Sequence, residues 1–212
     1  VLWAGAGLQH LAEAGRKLDG VKLAEVPHRD VTFRNDAAGI DLGGMLLVPD
    51  GEGPYPTAVI IHGSGTSKRD NAWYLTLSEY LREQGIGVLL PDKRGSEQSE
   101  GDWRTSSCEE VAGDTTAAVA YLRKQDDVAI DRVGIIGMSQ GGHIAPLVAD
   151  RTPGLAYVVN VVGSAVPMRE ALAYEENHNL RQLGLLPGIS NAVAYVSSAY
   201  IVHAGQKEFW DA

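Results

Sequence analysis

The residues with the clearest chemical use are Gly137-Met138-Ser139-Gln140-Gly141. A serine hydroxyl is a weak nucleophile until a base takes its proton. It also needs donors to hold the negative charge that develops on the carbonyl it attacks. The G-x-S-x-G spacing supplies part of this. Glycines on both sides permit a turn too sharp for side chains, which lifts the hydroxyl clear of the backbone. A helix opening directly after the serine would add its first amides and its partial positive charge, both favourable to an oxyanion. Five-residue patterns recur by chance, so the context decides. The turn must follow a buried strand and open a helix. Val133-Gly134-Ile135-Ile136 reads as that strand, and Gly142 followed by His143 to Ala149 reads as that helix. The bland alternative is a glycine-rich turn without chemistry.

A second cluster, His62-Gly63-Ser64-Gly65, ends the apolar run Thr57-Ala58-Val59-Ile60-Ile61. Acyl transfer uses two backbone N–H donors aimed at the developing oxyanion. Gln140, directly after the serine, is expected to give one, and Ser64 or Gly65 the other. Gly137, Gly141, His62 and Gly63 are read as structural members of the two turns.

The elements that must position these turns can be read from periodicity. Val31 and Phe33 alternate with polar neighbours, 35–39 makes a turn, and Ile40, Leu42 and Met45 to Val48 return, which predicts an antiparallel hairpin. The runs 57–61, 86–90, 133–137 and 156–162 are short, apolar and bounded by Gly, Pro or polar residues, as buried strands are. Between them lie stretches with helical spacing: 71–84 with Trp73, Leu77, Tyr80 and Leu81 on its apolar side, 109–125 with Val111, Ala118, Val119 and Leu122, and 140–150. Strands alternating with helices predict an α/β fold with a mostly parallel sheet covered on both faces. After Pro167 the pattern turns helical, over 168–183 and 191–204, broken at Leu185-Leu186-Pro187-Gly188. A short helix over 8–18 is expected in a Gly- and Ala-rich leader. The predicted organisation is a leader over 1–28, an α/β core over 29–166 and a helical cap or lid over 167–212.

With these residues in view, the chain resembles the α/β-hydrolase superfamily of serine hydrolases, in its prolyl-oligopeptidase-like and dienelactone-hydrolase-like branch. Three blocks carry the resemblance: His62 to Gly65, Pro91-Asp92-Lys93-Arg94-Gly95-Ser96, and Gly137 to Gly142. It runs from about Arg29 to Ser164. The second block is similar to the family's D-x-R-G-x-G-x-S loop, with Glu97 in place of its second glycine. The resemblance implies that Asp92 and Arg94 are structural, paired and at least partly buried. It also implies an order of serine, then acid, then histidine along the chain.

Downstream of Ser139 the histidines are His143, His178 and His203, and none has the strand–loop setting of a catalytic base. Asp150 closes a helix, Glu170, Glu175, Glu176 and Glu208 fall on predicted helices, and Asp211 is terminal. The last two strands expected of such a sheet are also missing. The expectation is therefore a chain that stops inside a cap inserted after the strand near Val162, with acid and histidine in a later part. Met168, Leu172, Tyr174, Leu180, Leu183, Tyr195 and Tyr200 could line the roofed pocket, or pack helix on helix.

Composition bounds the rest. The chain has 212 residues, 44% hydrophobic and 21% charged, enough for one sizeable core. Its net charge of -9 repels phosphate backbones and gives no basic patch for anionic lipid. Nucleic acid and membrane are thus excluded as expected partners, and a small-molecule ester or amide is the expected substrate. The single cysteine, Cys108, permits no intrachain disulfide and is read as a helix-start residue without chemical role. No His/Cys/Asp grouping has ligand spacing, so neither metal nor cofactor is implied. Ester cleavage through an acyl-enzyme leads. A prolyl-oligopeptidase-like peptidase on the same serine is the alternative, and a non-catalytic fold, or a site completed by a partner chain, is the third. A homodimer, and the choice between cytoplasm and periplasm or secretion, stay open.

Overall fold

The structure, a computed structural model, describes residue 23 and residues 26–65, 67 and 69–203. The predicted leader helix over 8–18 lies outside them. The chain enters through an antiparallel pair, β1 (Arg29–Asn35) and β2 (Ile40–Leu47). Val31 and Phe33 point inward while Asp30, Thr32 and Arg34 face solvent, as a half-buried strand requires. The turn closes on Gly39 at φ 68°, with the Gly39 amide donating to the Asn35 carbonyl at 2.9 Å.

Next come β3 (Tyr55–Ile61), α1 (Ala72–Glu83), β4 (Gly87–Pro91), α2 (Cys108–Leu122), β5 (Val128–Met138), α3 (Gln140–Arg151) and β6 (Val158–Val161). They form one six-stranded sheet in the order β1-β2-β4-β3-β5-β6. β2 meets β4 antiparallel, and β4, β3, β5 and β6 run parallel. The alternation of side chains across the pleat divides the core between two faces. Val59, Ile61, Leu89 and Ile135 pack on one face with Ala118 and Leu122 of α2 and Ile144 and Val148 of α3. Ala58, Ile60, Val88, Leu90 and Ile136 pack on the other with Tyr74 and Leu75 of α1. This is the predicted α/β sheet with helices on both faces.

Two helices follow, α4 (Met168–Gln182) and α5 (Pro187–His203). α5 begins earlier than the sequence pattern suggested. Pro187 occupies its first position, where a missing N–H costs nothing and a fixed φ suits the helix, so the Leu-Leu-Pro-Gly break is a helix start. β5 also begins earlier, at Val128, because its first half is an exposed strand in which Asp131 and Arg132 are tolerated. β6 is shorter than expected. On α1 the buried side chains are Tyr74, Leu75, Ser78 and Arg82, while Trp73 is 75% exposed. Of the apolar face expected, Leu77 and Leu81 pack against the core, whereas Trp73 and Tyr80 are exposed. The Tyr74 hydroxyl has a buried partner described below, and Arg82 is held by Glu79 and Asp50.

Candidate active site

Ser139 stands between the end of β5 and the first residue of α3, with φ 53° and ψ -115°. A residue with a side chain is strained at positive φ, and such strain persists only where surroundings enforce it. Here they do. The Ser139 amide donates to the Val161 carbonyl of β6 at 2.9 Å, and its own carbonyl accepts from the Gly142 amide at 2.8 Å. A methyl group on Gly137 would collide with the Gly141 carbonyl, and one on Gly141 with the Ile61 carbonyl. Both glycines are steric requirements of the turn. Asn160 closes it from β6, donating to the Gly142 carbonyl at 3.3 Å and accepting from the Gly163 amide at 2.8 Å. The Ser139 side chain is exposed, and its hydroxyl has no hydrogen-bond partner among the described residues.

The 62–65 loop lies beside it. A methyl group on Gly63 would stand 3.4 Å from Ser139 Cβ. The Ser64 and Gly65 amides have no acceptor among the described residues. Gln140 opens α3, so its amide is one of those a helix leaves without an intrahelical partner. Three unpaired donors and an unpaired hydroxyl therefore gather at the carboxyl ends of β3 and β5.

His62 supports this loop from beneath. Its Nε2 donates to the Pro91 carbonyl at 2.6 Å, and its ring meets Tyr74 edge-on at 4.4 Å. Burial, only partly opposed by that hydrogen bond, pushes its pKa down to about 4. The imidazole is therefore neutral and buried, with Nε2 committed to a carbonyl. The Tyr74 hydroxyl accepts from the Gly63 amide at 2.7 Å. Sequence periodicity passed over Tyr74 for Trp73. The signal available was its place one turn into a helix that follows the loop.

Lys93 was also passed over, as an unremarked member of the second block. It is 6% exposed, and its Nζ donates to the Gly63 carbonyl at 2.7 Å, the Gly65 carbonyl at 3.1 Å and Gln140 Oε1 at 3.3 Å. Burial lowers its pKa to about 8. Its neighbours pair as expected. Asp92 receives Arg69 through two bonds of 2.7 and 2.8 Å. Arg94 grips Asp114 at 2.6 and 2.8 Å and donates to Ser106 and to the Glu110 carbonyl. Glu97 adopts φ 47°, so a glutamate holds the conformation for which the family pattern has glycine.

The described residues hold no base for Ser139. His143 is half-buried on α3 and His178 exposed on α4, and neither is hydrogen-bonded to the serine. The side chain of His203, with Glu208 and Asp211, lies outside the described residues. Asp150, Glu170 and Glu175 are exposed and Glu176 half-buried, none of them paired with a histidine. Among the described residues no group of His, Cys, Asp and Glu could hold a metal ion. Cys108 is the first residue of α2, inside the capping box that Ser107 and Glu110 form.

Residues 38–200 match the model of the X-Pro dipeptidyl-peptidase (S15) family. The chain belongs to that family. It is thus an α/β hydrolase, and its relatives include esterases and peptidases. It is 29% identical over 157 residues to esterase EstD of Thermotoga maritima, covering 72% of this chain and 37% of that one. It is 32% identical over 170 residues to dipeptidyl aminopeptidase BIII of Pseudoxanthomonas mexicana, covering 74% and 24%. Est1E of Butyrivibrio proteoclasticus, solved with ferulic acid bound, superposes with a TM-score of 0.58 at 25% identity, over 68% of this chain and 56% of its own. In each comparison the S15 chain described here spans less than two thirds of its relative.

Proposed function

We propose that this S15-family chain cleaves carboxylic esters of small molecules through an acyl-enzyme on Ser139. The supporting observation is the strained elbow itself: an exposed serine hydroxyl at positive φ beside three amides, all without a partner among the described residues. Ser139 Oγ attacks the ester carbonyl. The amides of Gln140 and of Ser64 or Gly65 hold the resulting oxyanion. The alcohol leaves, and water then releases the acid. A base must accept the serine proton, and an acid must orient that base. Both come from outside the described residues, from another stretch of the protein or from a partner chain. In the same proposal, residues 29–166 are the catalytic core and the helices from 167 onward a cap over it.

A peptidase using the same serine is the second reading, favoured by the family match and by the likeness to the aminopeptidase. The two are separated by comparing kcat/KM of the full-length protein on p-nitrophenyl esters and on Xaa-Pro-p-nitroanilides, with Ser139→Ala as control. The proposal expects ester turnover at least tenfold above anilide turnover, and loss of both in the variant. Preference for the anilide makes the protein a peptidase. Ester turnover that survives Ser139→Ala removes Ser139 as the nucleophile.

A further inference from the structure

Lys93 is a buried cation without an anion. No carboxylate lies within salt-bridge distance among the described residues, because Asp92 beside it is taken by Arg69 and Asp114 by Arg94. Withdrawing an ammonium from water is expensive unless its hydrogens are satisfied. All three are, and every acceptor belongs to the site: the Gly63 and Gly65 carbonyls and the side chain of Gln140. Trp103 covers the same group, its ring centroid 5.1 Å from Nζ.

These contacts fix more than the carbonyls. A trans peptide is planar, with C=O and N–H pointing opposite ways. The Gly63 carbonyl shares its peptide plane with the Ser64 amide. Drawing that carbonyl onto Lys93 turns the Ser64 N–H away from Lys93. The loop needs such a hold, because Ser64 is exposed and Gly65, at φ 84°, has open space around it. Without an anchor the glycine-rich loop would sample many conformers. The third contact reaches Gln140, whose amide is the other proposed donor.

We propose that Lys93 is the positioning residue of the oxyanion hole, a three-pronged strut that locks the 62–65 loop to the start of α3 and aligns their amides. This rests on the serine-hydrolase reading above. The charge contributes as well, since a cation behind the carbonyl ends of these peptides strengthens their N–H ends towards an oxyanion. Among the described groups around Lys93, the Cys108 thiol is the one that acts on its charge, and only in part against burial. His62 at the end of β3 is neutral above about pH 4. The Cys108 thiol at the start of α2 is pushed up by burial. Asp92 and Arg94 are ion-paired, Gln140 of α3 is uncharged, and Arg104 stacks over the shared Trp103 ring. Above about pH 8 Lys93 loses a proton, and a neutral amine has only two hydrogens for three acceptors.

The test uses the full-length protein, with active sites counted by a fluorophosphonate probe and p-nitrophenyl butyrate as substrate. Lys93→Met lowers kcat per labelled site about 30- to 100-fold, the scale of losing an oxyanion donor, with KM within about threefold. Lys93→Arg restores most of kcat and moves the alkaline fall of kcat from near pH 8 to well above pH 9, since a guanidinium stays charged. A Lys93→Met protein whose kcat per labelled site is within threefold of wild type overturns the role. If that variant does not fold, the arginine variant decides: an alkaline limb unmoved from wild type overturns it equally. Probe labelling that survives Ser139→Ala overturns the serine reading as well, whereas labelling lost in Ser139→Ala alongside unchanged Lys93→Met turnover overturns the strut alone.

Discussion

β3, β5, β6 and α3 hold Ser139 from several sides, whereas α4 and α5 pack chiefly on each other. The contrast is one of burial. In the sheet, Val59, Leu89, Val133 and Ile135 are wholly inaccessible, and even polar residues such as His62, Asp92 and Arg94 are buried with partners. α4 buries no side chain. α5 buries Ser190, Ala194 and Ser198, small residues four apart that let it approach α4 closely, while Leu186, Ile189, Val193 and Val196 stay exposed. Tyr174, Leu183 and Tyr195, read from the sequence as cap residues, are exposed too. A strained backbone survives only in a packed frame, so the Ser139 turn sits in the first region and not in the second.

The contrast can be tested by mutation. Ile135→Ala in the sheet should cost about 2–5 kcal/mol in urea unfolding, because the cavity beneath the elbow cannot collapse. The acid side of the stability curve should report His62. Its pKa is depressed in the folded protein, so the unfolded chain binds the proton first as pH falls below about 6.5. Stability is intact above that pH and falls by about 3 kcal/mol on the way to pH 4. His62→Gln should lose most of that dependence. Glu97→Gly should stabilise by about 0.5–1 kcal/mol, as release from left-handed backbone outweighs the entropy glycine gains when unfolded. Leu186→Ala, in the helical hairpin that α4 and α5 make, should change stability by less than about 0.5 kcal/mol. A hairpin variant as costly as Ile135→Ala would erase the distinction.

Much of this frame was legible in the sequence. β-branched runs stopped by Gly or Pro marked the parallel strands, and G-x-S-x-G after such a run marked the elbow: Gly137 is demanded by the turn itself and Gly141 by the neighbouring strand β3. What escaped depends on distant partners. Tyr74 and Trp73 are equally apolar neighbours, and only the Gly63 amide and the His62 ring select Tyr74 for burial. A lysine in a loop reads as solvated, and Lys93 is buried only because carbonyls some thirty residues earlier converge on it. Pro187 reads as a break until its helix is seen to start there.

Treating the native full-length protein with a fluorophosphonate probe, then measuring intact mass and the labelled peptide, decides whether Ser139 is the nucleophile. A single adduct is expected, on Ser139, absent from Ser139→Ala. Labelling that persists in Ser139→Ala, or an adduct on another residue, would contradict it.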